Sequence, residues 1–121
     1  MNVALWAGML AVGGLGAVSR FMVDRAVSRR TKVIFPFGTL VVNISGAVLL
    51  GFLAGLVLRH EVAMLAGTAF LGAYTTFSTW MLETQRLTEE RRIWTAAANI
   101  VVSVILGLAA AAAGQWVASL L

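Results

Sequence analysis

Four long stretches of the chain carry no charged residue, and short charged segments separate them. The uncharged stretches are residues 1–19, 33–58, 62–82 and 93–121. Because an α-helix needs about 20 mostly apolar residues to cross the hydrocarbon core of a bilayer, each stretch has the length for one crossing. The pattern predicts an all-α integral membrane protein of four transmembrane helices. We expect a single domain over residues 1–121, with approximate spans at residues 2–23, 36–58, 62–84 and 93–119.

The composition agrees with this prediction and excludes several kinds of chemistry. The chain is 60% hydrophobic and only 12% charged, whereas about a quarter of the residues in a soluble domain are charged. No Lys or Arg precedes the first apolar run, so we expect a helix of the mature protein rather than a cleaved signal peptide. The lack of cysteine excludes disulfides, cysteine-based metal sites and thiol chemistry. The net charge of +4 indicates basic loops facing anionic lipid, the first of them expected at Arg25–Lys32, rather than a nucleic-acid partner.

Basic residues are concentrated on one side of the predicted membrane domain. With four spans, the first and third connections share a side. That side carries Arg25, Arg29, Arg30, Lys32, Arg86, Arg91 and Arg92, with Arg20 at its edge. The other side carries only Arg59. The positive-inside rule therefore predicts that both termini lie outside the cytoplasm.

No carboxylate lies in the middle of any predicted span. The five acidic residues lie at span ends or in connections: Asp24, Glu61, Glu83, Glu89 and Glu90. Small proton-coupled multidrug exporters are also four-helix chains of about this length. They need a buried carboxylate that binds a proton or a cationic drug, so the sequence disfavours that class.

The polar residues inside the spans are neutral, and they are the candidates for function. Helix 2 contains Asn43 and Ser45, and helix 4 contains Asn99 and Ser103 on one face. Helix 3 contains a run of hydroxyl and aromatic residues over Ala73–Trp80. Amide and hydroxyl donors can replace the water around a small anion, and aromatic ring edges carry positive potential. These residues therefore suit an anion site that buries no fixed charge.

Two structures fit the polar run of helix 3. Gly72 and the hydroxyls after it favour a broken helix, because Ser and Thr can satisfy the backbone groups that a break frees. Carbonyls released at such a break can coordinate a sodium ion. An unbroken helix, whose hydroxyls bond back to its own carbonyls, also fits the sequence.

Three segments resemble the signatures of the Fluc (CrcB) fluoride channels. They are GGLGAVSR at residues 13–20, PFGTLVVNISG at residues 36–46 and GTAFLGAYTTFSTWMLE at residues 67–83. Their order and spacing agree with the family across most of the chain. The resemblance implies an antiparallel dimer, in which two subunits of opposite membrane orientation form two fluoride pores. It also implies passive export of fluoride across the bacterial inner membrane, with no enzymatic chemistry.

The resemblance also assigns residues to the ion pathway. Asn43 would supply a pore-lining amide, although it also fits a role in cross-linking helices. Phe77 would present its ring edge to the ion, with the hydroxyls of Ser78 and Thr79 beside it. These two hydroxyls also fit bonds to their own helix. Arg20 matches an arginine at the aqueous vestibule, where it would attract anions, and it equally fits snorkelling to the interface.

The family's structural sodium and the polar residues of helix 4 complete the expected site. The backbone carbonyls of Gly72 and Thr75 from both subunits would hold a structural sodium ion at the dimer interface. Ser103 is expected to line the pathway. Asn99 is expected to tie helices together rather than to meet the ion.

Two departures from the family pattern affect these expectations. Trp80 stands where the family usually has a second phenylalanine, and its larger indole would reshape or block one pore. The second departure is the strong charge bias, because a dual-topology homodimer needs a weak one. We therefore expect either a homodimer or a pair with a sister subunit of opposite orientation. A non-conducting subunit that completes the dimer for a conducting sister is the alternative function.

Overall fold

The computed structural model describes residues 2–121, and this part of the chain is helical with no strand. The helices are α1 (Val3–Thr31), α2 (Phe37–Ala54), α3 (His60–Ala63), α4 (Gly72–Tyr74), α5 (Ser78–Glu89) and α6 (Ile93–Ser119), with a π-helical segment Met64–Leu71 joining α3 to α4. This confirms the prediction of an all-α protein.

Three of the helices are long and apolar enough to cross a membrane. They are α1, α2 and α6. The uncharged stretch of residues 62–82 is divided among α3, the π-helical segment, α4 and α5, and none of these segments alone reaches the length of a span. A multi-pass membrane protein is therefore confirmed by its three long helices, while the third stretch has an irregular structure.

The basic segment after the first span is helical, and the expectation of a loop from Arg25 to Lys32 is wrong. Helix α1 continues to Thr31 and carries Arg29 and Arg30 in its last turn. Basic side chains are favourable there, because the carbonyl end of a helix is electronegative. The helix ends at Lys32, whose N–H still donates to the Ser28 carbonyl but whose left-handed conformation (φ 44°) turns the chain away from the helix.

Small residues let the long helices approach closely, as expected for packing within a membrane. A Cβ on Gly51 of α2 would collide with the Ala111 carbonyl of α6, and a Cβ on Gly114 of α6 would collide with the Val48 carbonyl. Helix α1 approaches the π-helical segment in the same way, with Gly16 against the Phe70 carbonyl. These contacts fix α1, α2 and α6 around the irregular third stretch.

The first and third connections lie at the same end of the molecule. Ser28 and Thr31 of α1 line a cavity of about 360 Å³ together with Arg86 of α5 and Arg92, which directly precedes α6. The basic residues of the two connections are thus gathered at one end, as the positive-inside prediction of membrane orientation requires.

Candidate functional site

The side chain of Asn43 bonds to both backbone groups of Thr76, between α4 and α5. The chain leaves the helical conformation at Thr75 (φ −81°, ψ 159°). The Asn43 amide donates from Nδ2 to the Thr76 carbonyl at 2.9 Å, and the Thr76 N–H donates to Asn43 Oδ1 at 2.8 Å. One side chain therefore replaces the two backbone partners that a continuous helix would supply. An asparagine amide has two N–H donors, and this pair occupies one of them.

Hydroxyl groups satisfy other backbone groups near the same point. Thr75 donates from Oγ1 to the Leu71 carbonyl at 3.0 Å. The Thr79 N–H at the start of α5 donates to Thr76 Oγ1 at 3.2 Å, which is the bond that a helix-capping threonine makes. Thr76 thus stabilises the interruption through its side chain and its backbone, and the sequence patterns had assigned it no role. The pattern that could have indicated it is a threonine three residues before an amide in the first turn of a helix.

Two carbonyls lose their helical donors as a result of these bonds. In a continuous α-helix the Gly72 carbonyl would accept from the N–H of Thr76, four residues later. That N–H donates instead to Asn43 Oδ1. The Thr75 carbonyl would accept from the N–H of Thr79, which donates instead to Thr76 Oγ1. Gly72 and Thr75 are the two residues predicted to coordinate sodium through their carbonyls, and oxygen donors of this kind fit a hard cation.

Phe77 lies on the surface beside this interruption, in contact with Trp80. Its side chain is 70% exposed. The two ring centroids are 5.8 Å apart and the ring planes meet at 83°, an edge-to-face arrangement. The indole Nε1–H of Trp80 donates to the backbone carbonyl of Asn99 in α6 at 3.1 Å. The indole is therefore bonded to α6 through its only donor.

An open groove brings together three of the seven predicted pathway residues, Asn43, Phe77 and Trp80. It has a volume of about 290 Å³, and its polar or aromatic lining comes from Asn43, Thr75, Thr76, Phe77 and Trp80. Ala47 and Leu50 of α2 form its apolar part. The groove therefore offers amide, hydroxyl and ring-edge groups on a mainly apolar surface.

A second cavity lies on the α1 side of the same interruption. Its volume is about 240 Å³, and its polar lining comes from Arg20, Asp24, Thr39, Thr76 and Thr79. Thr39 is only 3% exposed. Because Thr76 lines both the cavity and the groove, the interrupted segment separates these two spaces.

The remaining predicted residues fall outside the groove. Ser78 is exposed at the start of α5, and its hydroxyl is 3.5 Å from Thr76 Oγ1. Ser103 is half-buried on α6 and lines neither the groove nor the second cavity. Asn99 is 1% exposed and donates from Nδ2 to Thr84 Oγ1 at 2.9 Å. The expectation that Asn99 ties helices together agrees with this bond between α6 and α5.

Comparison with known proteins gives a consistent result. A family model described as "CrcB-like protein, Camphor Resistance (CrcB)" matches residues 7–115. The "Fluoride-specific ion channel FluC 2" of Mycobacterium tuberculosis is 64% identical over 120 residues, which cover 99% of this chain and 95% of that protein. The protein of the same name from Mycolicibacterium paratuberculosis is 66% identical over 119 residues, 98% of each chain. The "Fluoride-specific ion channel FluC 1" of Streptomyces avermitilis is 42% identical over 120 residues, 96% of this chain and 97% of that protein.

Proposed function

The chain belongs to the CrcB family, and we propose that it is a subunit of a fluoride channel in the plasma membrane, through which fluoride leaves the cytoplasm passively. The relatives named fluoride-specific ion channels cover nearly the whole chain at up to 66% identity. The structural observation that carries the proposal is the interruption held by Asn43 and Thr76. It places neutral hydrogen-bond donors and the edge of an aromatic ring together without a buried carboxylate.

The third uncharged stretch is proposed to cross the bilayer as one broken helix. Its two helical parts, His60–Tyr74 and Ser78–Glu89, flank the interruption. Irregular backbone at membrane depth is tolerated where it lines a cavity or is buried in protein. The cavity and the groove on either side of Thr76 supply such a setting. With this span the domain has four crossings, as the hydropathy pattern predicts.

The ion pathway is proposed to pass from Arg20 to Phe77. Arg20 lines the second cavity, where its positive charge attracts an anion, and Thr79 lines the same cavity. Past Thr76, the free N–H of Asn43 and the exposed ring of Phe77 follow in the groove. An anion beside the ring edge meets its positive potential. The hydroxyls of Ser78 and Ser103 are proposed to reach the pathway in the assembled channel.

An inverted second subunit is proposed to cover the groove. Polar backbone and hydroxyl groups facing lipid are costly, because hydrocarbon offers them no partner. Gly72, Phe77 and Ser78 are exposed on this face of the single chain. A partner subunit across the groove would bury them and place the carbonyls of Gly72 and Thr75, with their two counterparts in the partner, around one structural sodium ion.

The partner is proposed to be a sister subunit of opposite orientation rather than a second copy of this chain. The charge bias supports this choice, because the connections at one end carry seven basic residues and the connection at the other end carries only Arg59. The positive-inside rule then fixes one orientation for this chain. A cysteine-accessibility map that finds both orientations for this chain alone would contradict the heteromeric proposal and favour the homodimer.

Fluoride efflux from liposomes tests the proposed function. A fluoride electrode follows liposomes that contain the purified chain, alone and with its sister subunit, and a chloride electrode follows matched liposomes. We expect fluoride loss with chloride retained. Phe77→Ile should abolish most of the fluoride flux, whereas Phe52→Ile, a half-buried phenylalanine outside the groove, should not. No fluoride flux from either preparation would refute the channel.

A further inference from the structure

We propose that Trp80 is a positioning residue that fixes the orientation of the Phe77 ring, and that its indole N–H does not bind the conducted ion. The inference rests on the proposed channel function and assigns a role to the residue that departs from the family pattern. It follows from the hydrogen bonds of the indole and from the geometry of the two rings.

The indole belongs to a closed set of hydrogen bonds between α5 and α6. Trp80 Nε1–H donates to the Asn99 carbonyl at 3.1 Å, and Asn99 Nδ2 donates to Thr84 Oγ1 at 2.9 Å. The hydroxyl of Thr84 donates in turn to the Trp80 carbonyl at 2.9 Å. Asn99 is 1% exposed and Thr84 is 9% exposed, so water does not compete well for these groups. In such a setting a broken hydrogen bond is costly. The first bond holds the indole against α6, and the other two hold Asn99 and Thr84 in place beside it.

The indole held in this way is the aromatic neighbour of Phe77. The two rings meet at 83° with centroids 5.8 Å apart, within the range of favourable edge-to-face pairs. Because Phe77 is 70% exposed, few other contacts restrict its ring within the subunit. The direction in which the Phe77 edge points therefore depends on Trp80.

The orientation of the Phe77 ring determines how it interacts with an anion, whereas the indole N–H of Trp80 is not available to bind one. An aromatic ring attracts an anion at its edge and repels it at its face, so a rotated ring changes the sign of the interaction. The Trp80 N–H is the only polar hydrogen of the indole, and it is already bonded to a carbonyl of α6. Trp80 therefore contributes to selectivity through Phe77 rather than by contact with the ion.

A double-mutant cycle with fluoride and chloride efflux as readouts tests this role. Trp80→Phe removes the indole donor and keeps a ring, and Thr84→Val removes the acceptor of the Asn99 amide. We expect each to lower the ratio of fluoride to chloride flux about five-fold, the equivalent of one hydrogen bond. The double variant should lose less than the product of the two, because both changes act on one set of bonds. Thr84→Ser, which retains the hydroxyl, should keep the wild-type ratio, as should Trp94→Phe, whose indole is 88% exposed.

The outcome that overturns the inference is a selectivity loss in Trp80→Phe with an unchanged ratio in Thr84→Val. That result would mean that the indole acts on the ion directly. Unchanged ratios in both single variants would also overturn it. Wild-type liposomes without fluoride flux would count against the channel function itself, which is a different result.

A spectroscopic measurement covers the case in which Thr84→Val does not fold. In a chain whose Trp6, Trp94 and Trp116 are replaced by Phe, the remaining indole gives a single ¹⁵N–¹H resonance. These three side chains are 54%, 88% and 64% exposed, so their replacement disturbs little packing. We expect the Trp80 indole N–H to exchange slowly with solvent. Its resonance should not shift when sodium fluoride is added, with sodium chloride as the control titration. A large fluoride-dependent shift would show that the N–H binds the ion and would refute the proposal, whether or not the channel conducts.

Discussion

Replacing Asn43 by Ala removes both hydrogen bonds that hold the interrupted segment. In the native protein the Thr76 N–H lies 2.8 Å from Asn43 Oδ1 and the Thr76 carbonyl lies 2.9 Å from Asn43 Nδ2. The variant leaves both backbone groups without these partners. Thr76 is 9% exposed, so solvent can replace these partners only in part. Each buried group without a partner costs about 1–3 kcal/mol, and the two together therefore cost about 2–6 kcal/mol. We expect the variant to be destabilised by an amount in this range and to lose fluoride conduction.

Hydrogen exchange at the Thr76 amide measures the effect at the interruption itself. Loss of the bond to Asn43 Oδ1 should reduce protection of this amide about 5- to 150-fold, which corresponds to about 1–3 kcal/mol. Ser45→Ala is the matched control on the same helix. It removes the 2.9 Å bond between Ser45 and the Tyr74 hydroxyl without touching Thr76, so protection at Thr76 should stay at the wild-type level.

Unchanged Thr76 protection in Asn43→Ala, measured in a folded protein, would refute the reasoning. It would mean that the interruption is held by other contacts and that the Asn43 amide is free to serve the ion alone. A loss of fluoride flux without any change in stability would lead to the same conclusion.

Three further predictions follow from close contacts, charge burial and the freed carbonyls. Gly46→Ala should destabilise the protein by about 1–3 kcal/mol, because the added Cβ would collide with the Thr75 side chain. Gly14→Ala is the control and should have no such effect, because a Cβ there would have no atom within 4 Å. Denaturation in mixed micelles compares the stability of the two variants. Glu83→Gln should raise the unfolding temperature, because partial burial removes water from the charged Glu83 carboxylate, and Glu89→Gln at an exposed site should not. Replacing sodium by N-methylglucamine should lower the unfolding temperature, since a bound ion at 100 times its Kd stabilises by about 2.7 kcal/mol.

The regular helices could be predicted from the sequence, and their ends less well. Apolar stretches of the right length led directly to α1, α2 and α6. The end of α1 was placed too early, because the hydropathy pattern reports where lipid contact stops and not where the helix stops. Arg29 and Arg30 are good helix formers outside the bilayer, and the helix continues through them.

The interruption between α4 and α5 could not be decided from local sequence. A threonine-rich segment fits a continuous helix whose hydroxyls bond back, and Thr75 makes that kind of bond to Leu71. What ends the helix there is Asn43, which is 33 residues away in the chain. Local propensity carries no information about such a partner, and only the resemblance to a family brought the two segments together.

The hydrogen bond of Trp80 could not be predicted from the sequence for a related reason. From the sequence, an indole in place of a phenylalanine adds bulk and a hydrogen-bond donor that would reshape or block a pore. Its donor is bonded to the backbone carbonyl of Asn99, and every residue type has such a carbonyl. No side-chain pattern in α6 could have indicated this bond.

The interruption links the proposed cation site to the proposed anion pathway through the single side chain of Asn43. In a continuous helix the N–H groups of Thr76 and Thr79 would be bonded to carbonyls of the preceding turn. By binding Thr76, the Asn43 amide diverts one of these donors, and Thr76 Oγ1 diverts the other. The carbonyls of Gly72 and Thr75 thereby lose the donors of a continuous helix, as the proposed sodium site requires, while Asn43 and Phe77 line the groove proposed for the anion. A hydrophobic residue at position 43 would thus affect both sites, although it would contact only one of them.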